Sequence, residues 1–377
     1  MEVKKLKDCC TIIAGQSPES KYYNTNGDGL PFFQGKADFG ELYPSIRVYC
    51  SQPTKIAEKD DILLSVRAPV GPTNLAPCKV CIGRGLTAIR PSEALLTRYV
   101  LLFFRYFEAQ LASKGTGTTF KAITQDVVKN LEIPIPPILE QERIVARIEE
   151  LFSQLDAGVT TLKKTKAQLA VYRQAVLKEA FGTIAERVLL GDISESRLGK
   201  MLDKEKNTGV PRKYLRNINV RWFRFDLTDL LEMRIEDDEI EKYSICKGDL
   251  VICEGGEPGR CAVWQRDDAL FYQKALHRVR FTDCSNPLFY MYYLWYAAQT
   301  GQLKPYYTGT GIKHLTGQSL VKVPVPTAGK EIQNNTVAEI ESRLSVCDSI
   351  EQTVDTALQQ AEAMRQSILK KSFEGRL

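Results

Sequence analysis

The chain has 377 residues, of which 44% are hydrophobic and 26% are charged, and its formal net charge is +5. These proportions are those of a folded globular protein and exclude a disordered or collagen-like chain. The length allows two or three domains, and the small positive charge gives only a weak indication of a polyanionic partner.

Short strands and long helices alternate along the sequence. Apolar runs between glycine and proline turns predict strands, whereas apolar residues with a helical repeat predict helices. Prolines before each long helix and a glycine after it predict where these helices begin and end. In chain order the predicted elements are strands at 61–66 and 80–82, a helix at 97–112, a long helix at 139–181, strands at 249–253 and 277–281, a helix at 287–301, and a second long helix between Pro326 and Gly375.

The second half of the chain repeats the first at an offset of 192 positions (365 against 173). Residues 173–178 reappear as 365–370, and Phe181 is matched by Phe373. Upstream the match continues with small gaps, so that the Pro-containing run at 131–136 has its counterpart at 321–326, an offset of 190 (321 against 131). Sequences between these anchors differ almost completely, which predicts one scaffold that carries two different variable surfaces.

Each long helix has an apolar seam with heptad spacing, which must be buried. A helix of about forty residues spans about 60 Å, and the equivalent helix of the other half is the simplest partner. We therefore predict two α/β (α+β) globular domains separated by two long antiparallel helices that form an intramolecular coiled coil with pseudo-twofold symmetry. The alternative is that each helix packs only on its own domain. The predicted seams are Ile148, Leu151, Leu155, Leu162, Leu169, Tyr172 and Val176, and Ile340, Cys347, Ile350, Val354, Ala357, Ala361, Met364 and Ile368. The predicted domains are residues 1–137 and 184–328, with the helices at 138–183 and 329–377.

The ten cysteines indicate a cytoplasmic protein with reduced thiols, because no apolar export signal is visible at the first residues. Cys78 and Cys81 are spaced as in zinc sites, but the chain has only two histidines, neither of them at zinc-finger spacing. We expect no metal, and buried cysteines in an apolar strand. The longest apolar stretch, at 288–298, is too short for a membrane span.

The usual catalytic motifs are missing. The only Pro-Pro pair, Pro136-Pro137, follows Ile135, so the Asn/Asp-Pro-Pro-Tyr signature of amino-methyltransferases is absent. The nearest approach to a phosphate-binding loop, at 29–37, has the wrong spacing and the wrong final residue, and Pro258 makes 255–259 a predicted β-turn. The sequence predicts a protein that is not an enzyme and holds no cofactor of its own.

Glycine loops flanked by basic residues occur at equivalent places in both halves, near 114–121 and 304–314. Glycine amides can approach phosphate and lysines attract it, whereas forked Arg, Asn and Gln side chains read base edges. Any one of these residues is more often an ordinary solvated side chain. The candidate DNA-binding residues are Gln34, Lys36, Arg47, Arg67, Lys114, Thr116 and Lys121 in the first half, and Arg212, Lys213, Arg216, Asn217, Arg221, Gln273, Lys274, His277, Lys313 and His314 in the second.

Several segments together resemble the specificity (S) subunit of type I restriction-modification enzymes. They are Gly117-Thr118-Thr119-Phe120-Lys121-Ala122-Ile123-Thr124, the run from Leu131 to Pro137, Glu140-Gln141, and Arg173 to Phe181, with their partner copies. The resemblance covers the whole chain in order. One departure is the segment 327–331, which does not cleanly reproduce Pro137 and Glu140-Gln141 of the first copy.

This resemblance implies a non-catalytic subunit that reads a bipartite double-stranded DNA target, with one half-site per domain and a spacer set by the helices. It also implies two methyltransferase subunits and the restriction/translocase subunits as partners. S-adenosylmethionine, ATP and magnesium are expected only on those partners. The alternatives are a self-contained DNA methyltransferase or nuclease, and a coiled-coil scaffold without a nucleic-acid role.

Overall fold

A computed structural model describes residues 2–115, 122–203 and 207–376. The chain forms two compact units, residues 1–163 with 355–377, and residues 164–354. Each unit therefore contains one mixed helix and strand domain and a portion of both long helices.

In the first unit, the antiparallel sheet β2-β10-β7-β8 lies beside a sheet in which β4 and β9 are parallel. Buried Ile62 and Leu64 pack with Tyr99 and Phe103 of the helix that follows the sheet. The elements are β1 (Glu2–Lys5), α1 (Leu6–Cys9), β2 (Cys10–Ala14), β3 (Tyr23–Asn24), β4 (Leu30–Phe33), β5 (Tyr49–Cys50), β6 (Ile56–Ala57), β7 (Ile62–Ser65), β8 (Thr73–Leu75), β9 (Val80–Ile82), β10 (Leu86–Pro91), α2 (Thr97–Ser113), α3 (Gln125–Lys129), β11 (Glu132–Ile135) and the first part of α4 (Ile138–Gly182).

The second unit repeats this plan with the antiparallel sheet β13-β22-β19-β20, and with β14 parallel to β21. Its core includes Leu250 and Ile252, packed with Phe289 and Tyr293. The elements are β12 (Arg187–Leu189), α5 (Leu190–Ile193), β13 (Ser194–Leu198), β14 (Val210–Leu215), β15 (Val220–Arg221), β16 (Arg224–Phe225), β17 (Leu231–Ile235), α6 (Ile240–Tyr243), β18 (Ser244–Ile245), β19 (Leu250–Cys253), β20 (Cys261–Val263), β21 (Leu270–Tyr272), β22 (Leu276–Phe281), α7 (Pro287–Gln299), α8 (Gly317–Leu320), β23 (Pro324–Pro326) and α9 (Lys330–Phe373), whose end belongs to the first unit.

An equivalent ion pair between an arginine and a buried aspartate joins strands in the sheet of each unit. In the first, Arg90 donates to both carboxylate oxygens of Asp61 at 2.8 and 2.7 Å. In the second, Arg280 donates to Asp249 at 2.7 Å in both bonds. Each carboxylate also accepts a backbone N–H three residues earlier. The units therefore share a scaffold that extends to matching hydrogen bonds.

Both predicted long helices are confirmed, and within each unit their segments run antiparallel. In the first unit Ile148 of α4 packs with Leu369 of α9. In the second, Arg343 of α9 donates to Glu179 of α4 at 2.9 Å. The end of each helix also packs on a globular domain, but because the two helices contact each other, the alternative that each packs only on its own domain is wrong. Phe373 stacks on Tyr106 at 5.5 Å, and Phe181 meets Phe289, Tyr293 and Tyr296.

Three residues of the predicted seams are exposed. The exposed fraction is 44% at Tyr172, 40% at Ile350 and 54% at Met364. Tyr172 and Met364 are equivalent positions of the repeat. An α-helix drifts by about 20° per heptad from a 3.5-residue seam, so a strict heptad register does not stay on the buried face. Tyr172 lies instead at the edge of the helix pair, beside Arg343 of α9.

The sequence at 327–331 departs from the first copy, but the start of α9 keeps a buried glutamine equivalent to the one at the start of α4. Gln141 is buried and accepts the Leu96 N–H at 2.8 Å, while Gln333, 192 positions later, is buried and accepts the Asn286 N–H at 2.7 Å. Comparison of the adjacent residues had missed this match. Gln333 thus anchors the start of α9 as Gln141 anchors that of α4.

Other expectations from the sequence can be compared directly with the fold. Residues 255–259 connect β19 to β20 through turns and bends, as predicted, and Cys81 is buried in β9 while Cys78 is half-buried. Among the described residues, no group of three or more His, Cys, Asp and Glu side chains is placed to hold a metal ion. None of the described helices is both long enough and apolar enough to cross a membrane.

Candidate nucleic-acid interface

In the second unit, three loops are joined edge to edge by backbone hydrogen bonds. Glu254, after β19, donates its N–H to the carbonyl of Ala275, between β21 and β22, at 2.9 Å. The carbonyl of Glu254 accepts the Leu315 N–H at 2.7 Å. The Asn217 side chain adds a bond of 2.7 Å to the carbonyl of Gly255. These bonds hold the tips of the loops in one surface.

A cavity of about 360 Å³ opens between these loops. Its lining includes three of the predicted residues, Gln273, Lys274 and His314. Lys200 and Glu254 also line it. The structure therefore brings together side chains that are far apart in sequence and offers hydrogen-bond donors, acceptors and positive charge in one concave site.

The position of Gln273 and Lys274 depends on close backbone approach. A Cβ atom at Gly199 would lie 2.2 Å from the carbonyl oxygen of Gln273, so only glycine fits there. Ala275 has a φ of +84°, a left-handed conformation that a residue with a side chain rarely adopts. The turn is thereby fixed in one shape, which presents Lys274 to solvent.

His277 lies behind this surface rather than on it. Its side chain is buried, and its Nε2 is 3.7 Å from a carboxylate oxygen of Glu254. Burial lowers the pKa of His277, and the nearby Glu254 opposes this only in part. Lys200, also buried, bonds the carboxylates of Glu236 and Glu239, which raise its pKa despite the opposing effect of burial.

The other candidates of the second unit do not line this cavity. Arg216 is half-buried and donates to Asp229 at 2.6 Å. Arg212 stacks over Phe271 at 5.5 Å on β14. The remaining candidates are Lys213, which is exposed, Arg221, which is half-buried, and Lys313, which is exposed and donates to the Gly309 carbonyl at 2.7 Å.

The first unit has an equivalent loop network. Ile123 N–H bonds the carbonyl of Val66 at 3.0 Å, and Val66 N–H bonds Gly85 at 3.0 Å. Gly85 in turn donates to the carbonyl of Gln34 at 3.2 Å. The first two bonds are the counterparts of those that Leu315 and Glu254 donate in the second unit. Exposed Gln34, and exposed Arg67 next to Val66, therefore lie on neighbouring loops.

The remaining candidates of the first unit are more dispersed. Arg47 is exposed and bonds Asp38, while Lys36 is exposed in the same loop. Lys114 is exposed at the end of α2, with its Nζ 5.6 Å from the centre of the Phe107 ring. Thr116 and Lys121 lie outside the described residues.

Sequence reasoning missed three residues that the loop networks place with the candidates. Arg84 is exposed between Gly83 and Gly85 and corresponds to Lys274. Its signal was the Gly-Arg-Gly triplet, since a Cβ atom at Gly85 would lie 2.3 Å from the Gln34 carbonyl oxygen. Lys200 and Glu254 had no local signal, because their place at the cavity follows from strand pairing alone.

Comparisons with known proteins agree on one family. Residues 1–170 match the family model for the type I restriction modification DNA specificity domain. The putative type I restriction enzyme MjaX specificity subunit of Methanocaldococcus jannaschii is 39% identical over 167 residues, which are 44% of this chain and 38% of that protein. The type I restriction enzyme EcoKI specificity subunit of Escherichia coli (strain K12) is 22% identical over 324 residues, which are 80% of this chain and 70% of that protein.

The fold also has a close counterpart among solved structures. A chain from work on "complex assembly and conformational transition of the type I R-M system" matches with a TM-score of 0.81 and 18% identity, covering 100% of this chain and 98% of the other. The match to the MjaX subunit spans well under half of that relative, whereas the match to the EcoKI subunit reaches both halves of the present chain. The domain match over residues 1–170, these relatives and the repeated architecture all make the chain similar to type I restriction-modification specificity subunits.

Proposed function

We propose that this chain is the DNA-recognition subunit of a type I restriction-modification complex. Each globular domain reads one half-site of a bipartite double-stranded target, and the two long helices set the spacer between the half-sites. Partner methyltransferase subunits and restriction/translocase subunits supply the chemistry, with S-adenosylmethionine, ATP and magnesium on those partners. The chain itself is non-catalytic and works in the cytoplasm.

The observation that carries this proposal is one loop network that presents different side chains in the two units. The bond from Ile123 to Val66 has its counterpart in that from Leu315 to Glu254. The tips nevertheless differ, because Arg84 in one unit corresponds to Lys274 in the other. A shared backbone network that carries different exposed side chains is suited to two domains that recognise different DNA sequences, since base specificity comes from side chains at base edges.

The basic residues fit the electrostatic part of such binding. Arg67 and Arg84 of the first unit and Lys274 and Lys313 of the second are exposed next to these networks. Each phosphate contact releases counterions, so binding should weaken steeply with salt. The domains of the proposed readers are residues 1–137 and 184–328, and the helices at 138–183 and 329–377 serve as the spacer.

The test is selection of bound sequences from a random duplex library with the full chain. We expect two short conserved half-sites separated by an unspecified spacer of fixed length. Exchange of residues 1–137 for the corresponding domain of another specificity subunit should change one half-site only. A single continuous motif, no selected motif, or changes in both half-sites after the exchange would overturn the proposal.

A further inference from the structure

A second cavity of the second unit, of about 470 Å³, lies away from the loop network. It opens beside α7 and the segments of the two long helices that belong to this unit. Its lining combines an aromatic cluster with charged side chains. These side chains include Phe223, Tyr292, Trp295, Glu341, Asp348 and Arg173.

The rings of Phe223, Tyr292 and Trp295 form one cluster, which we call the aromatic cage. The Phe223 ring stands at 89° to that of Trp295, with their centres 4.7 Å apart, and its centre is 5.4 Å from that of Tyr292. Phe223 lies in the two-residue turn between β15 and β16 with a φ of +70°. Glycine or asparagine would suit that turn better, and a strained bulky residue there is typical of a functional site. The strain leaves Phe223 37% exposed, with its ring against the cage.

The charged side chains of the cavity leave one carboxylate without a cation. Arg173 is already bound to Asp348 at 2.6 Å and to Glu351 at 2.8 Å. Glu341 has only the Tyr292 hydroxyl, at 3.4 Å, and no ion pair with any residue that the structure describes. Its carboxylate therefore faces the aromatic cage without charge compensation.

The first unit shows how the repeat otherwise compensates this charge. The counterpart of Glu341 is Glu149, 192 positions earlier, whose carboxylate oxygen lies 3.4 Å from Nε of Arg98. Leu96 and Asn286 are the residues that precede α2 and α7. When they are aligned, Arg105 is equivalent to Trp295 and Arg98 is equivalent to Leu288. Where the first unit has its own guanidinium groups, the second has an aromatic ring and an aliphatic side chain.

We propose that this cavity is a docking site for an arginine or lysine side chain of a partner polypeptide. A guanidinium group would lie over the face of the Trp295 ring and pair with the carboxylate of Glu341, which combines a cation–π contact with an ion pair. The carboxylates of Glu341 and Asp348 repel phosphate, so nucleic acid is a poor occupant. The site is independent of DNA reading, because none of its residues lines the cavity at Gln273 and Lys274.

To test this, the full chain is titrated with three blocked tripeptides, acetyl-Gly-Arg-Gly-amide and its Leu and Glu analogues. Binding is measured by calorimetry and by tryptophan fluorescence. We expect the arginine peptide to bind about fivefold more tightly than the leucine peptide. Glu341→Gln should weaken arginine binding by a similar factor. Glu331→Gln, which changes an exposed carboxylate on the same helix, is the matched control and should have no effect.

A second variant keeps the carboxylate and blocks the cage. Trp295→Arg would place a guanidinium where the first unit has Arg105, so it should abolish arginine binding while duplex DNA binding, measured in parallel, is retained. Equal affinity for the three peptides, preference for the leucine peptide, or an affinity for the arginine peptide that is unchanged in Glu341→Gln would overturn the proposal. Loss of duplex DNA binding in Glu341→Gln would instead assign the surface to nucleic acid and equally overturn it.

Discussion

The guanidinium of Arg173 lies 2.6 Å from a carboxylate oxygen of Asp348, and this ion pair joins the two long helices within the second unit. In the first unit Arg365 pairs with Asp156. Each residue of one pair is 192 positions from its counterpart in the other, with the two helices exchanging roles. One contact is thus made twice by the same pair of helices.

Reversing one charge of this pair should destabilise the second unit. Arg173→Glu would place a third carboxylate beside Asp348 and Glu351, and we expect a loss of about 1 kcal/mol in the free energy of unfolding. Urea denaturation measures this loss. The double variant with Asp348→Arg should recover part of it, and Arg143→Glu at an exposed i,i+3 pair should cost less. A double variant no better than the sum of the singles would contradict the direct pairing.

Asp249 should be one of the most sensitive positions of the second domain. It is buried and accepts three hydrogen bonds, two from Arg280 and one from the backbone N–H of Cys246. Asp249→Ala leaves these donors without a partner and should cost about 2 kcal/mol. Asp267→Ala, which removes an exposed carboxylate, is the control. The expectation would be refuted if both variants unfolded at the same urea concentration.

Acid should destabilise the second domain through His277. Burial holds the pKa of His277 below its ordinary value of 6.5, so the unfolded chain binds a proton that the folded chain does not. Stability is therefore fully present above pH 6.5 and is lost as the pH falls from there towards the lowered pKa. His277→Gln should remove this part of the slope when unfolding free energy is measured between pH 7 and 5. An unchanged slope would show that His277 is not its source.

Gln34 and Gln273 are expected to act on different half-sites. Gln34 follows β4, which is parallel to β9, and Gln273 follows β21, which is parallel to β14. Both residues belong to the loop network of their own unit. Alanine at either position should relax discrimination at one base pair by about 1–3 kcal/mol and leave the other half-site unchanged. Competition binding with single-base variants of the selected duplex measures this. Lys79→Ala, at an exposed lysine paired with Glu58, is the control.

Shortening both helices should shorten the spacer. Deleting residues 158–164 and 350–356, which are equivalent stretches, removes one heptad from each helix, or about 10 Å. At about 3.4 Å per base pair the spacer should lose about three base pairs while both half-sites persist. Selection from a random library reads out both quantities, and an unchanged spacer would remove the helices from the role of ruler.

Much of this architecture was readable from the sequence, because the repeat at 192 positions and the helical periodicity leave strong local signals. Helices α2, α4, α7 and α9 begin and end within a few residues of their predicted positions. The seam prediction was wrong at Tyr172, Ile350 and Met364, because a strict heptad register drifts off the buried face of an α-helix.

The candidate site was less predictable, because backbone pairing rather than local pattern assembles it. Lys200 and Gln273 are far apart in sequence, and an isolated bridge between these two residues brings them to the same cavity. Composition suggested His277 as a base reader, yet its strand β22 turns that side chain inward. Arg84 was overlooked because a lone Gly-Arg-Gly triplet is common in loops.

Packing of Phe373 against Tyr99, Phe103 and Tyr106 has a consequence for how the protein is made. The ribosome finishes residues 1–163 long before it adds the segment that completes their core. Until residue 373 emerges, these three rings lack one of the side chains that pack on them, so the first domain completes its core only after the second helix has been translated.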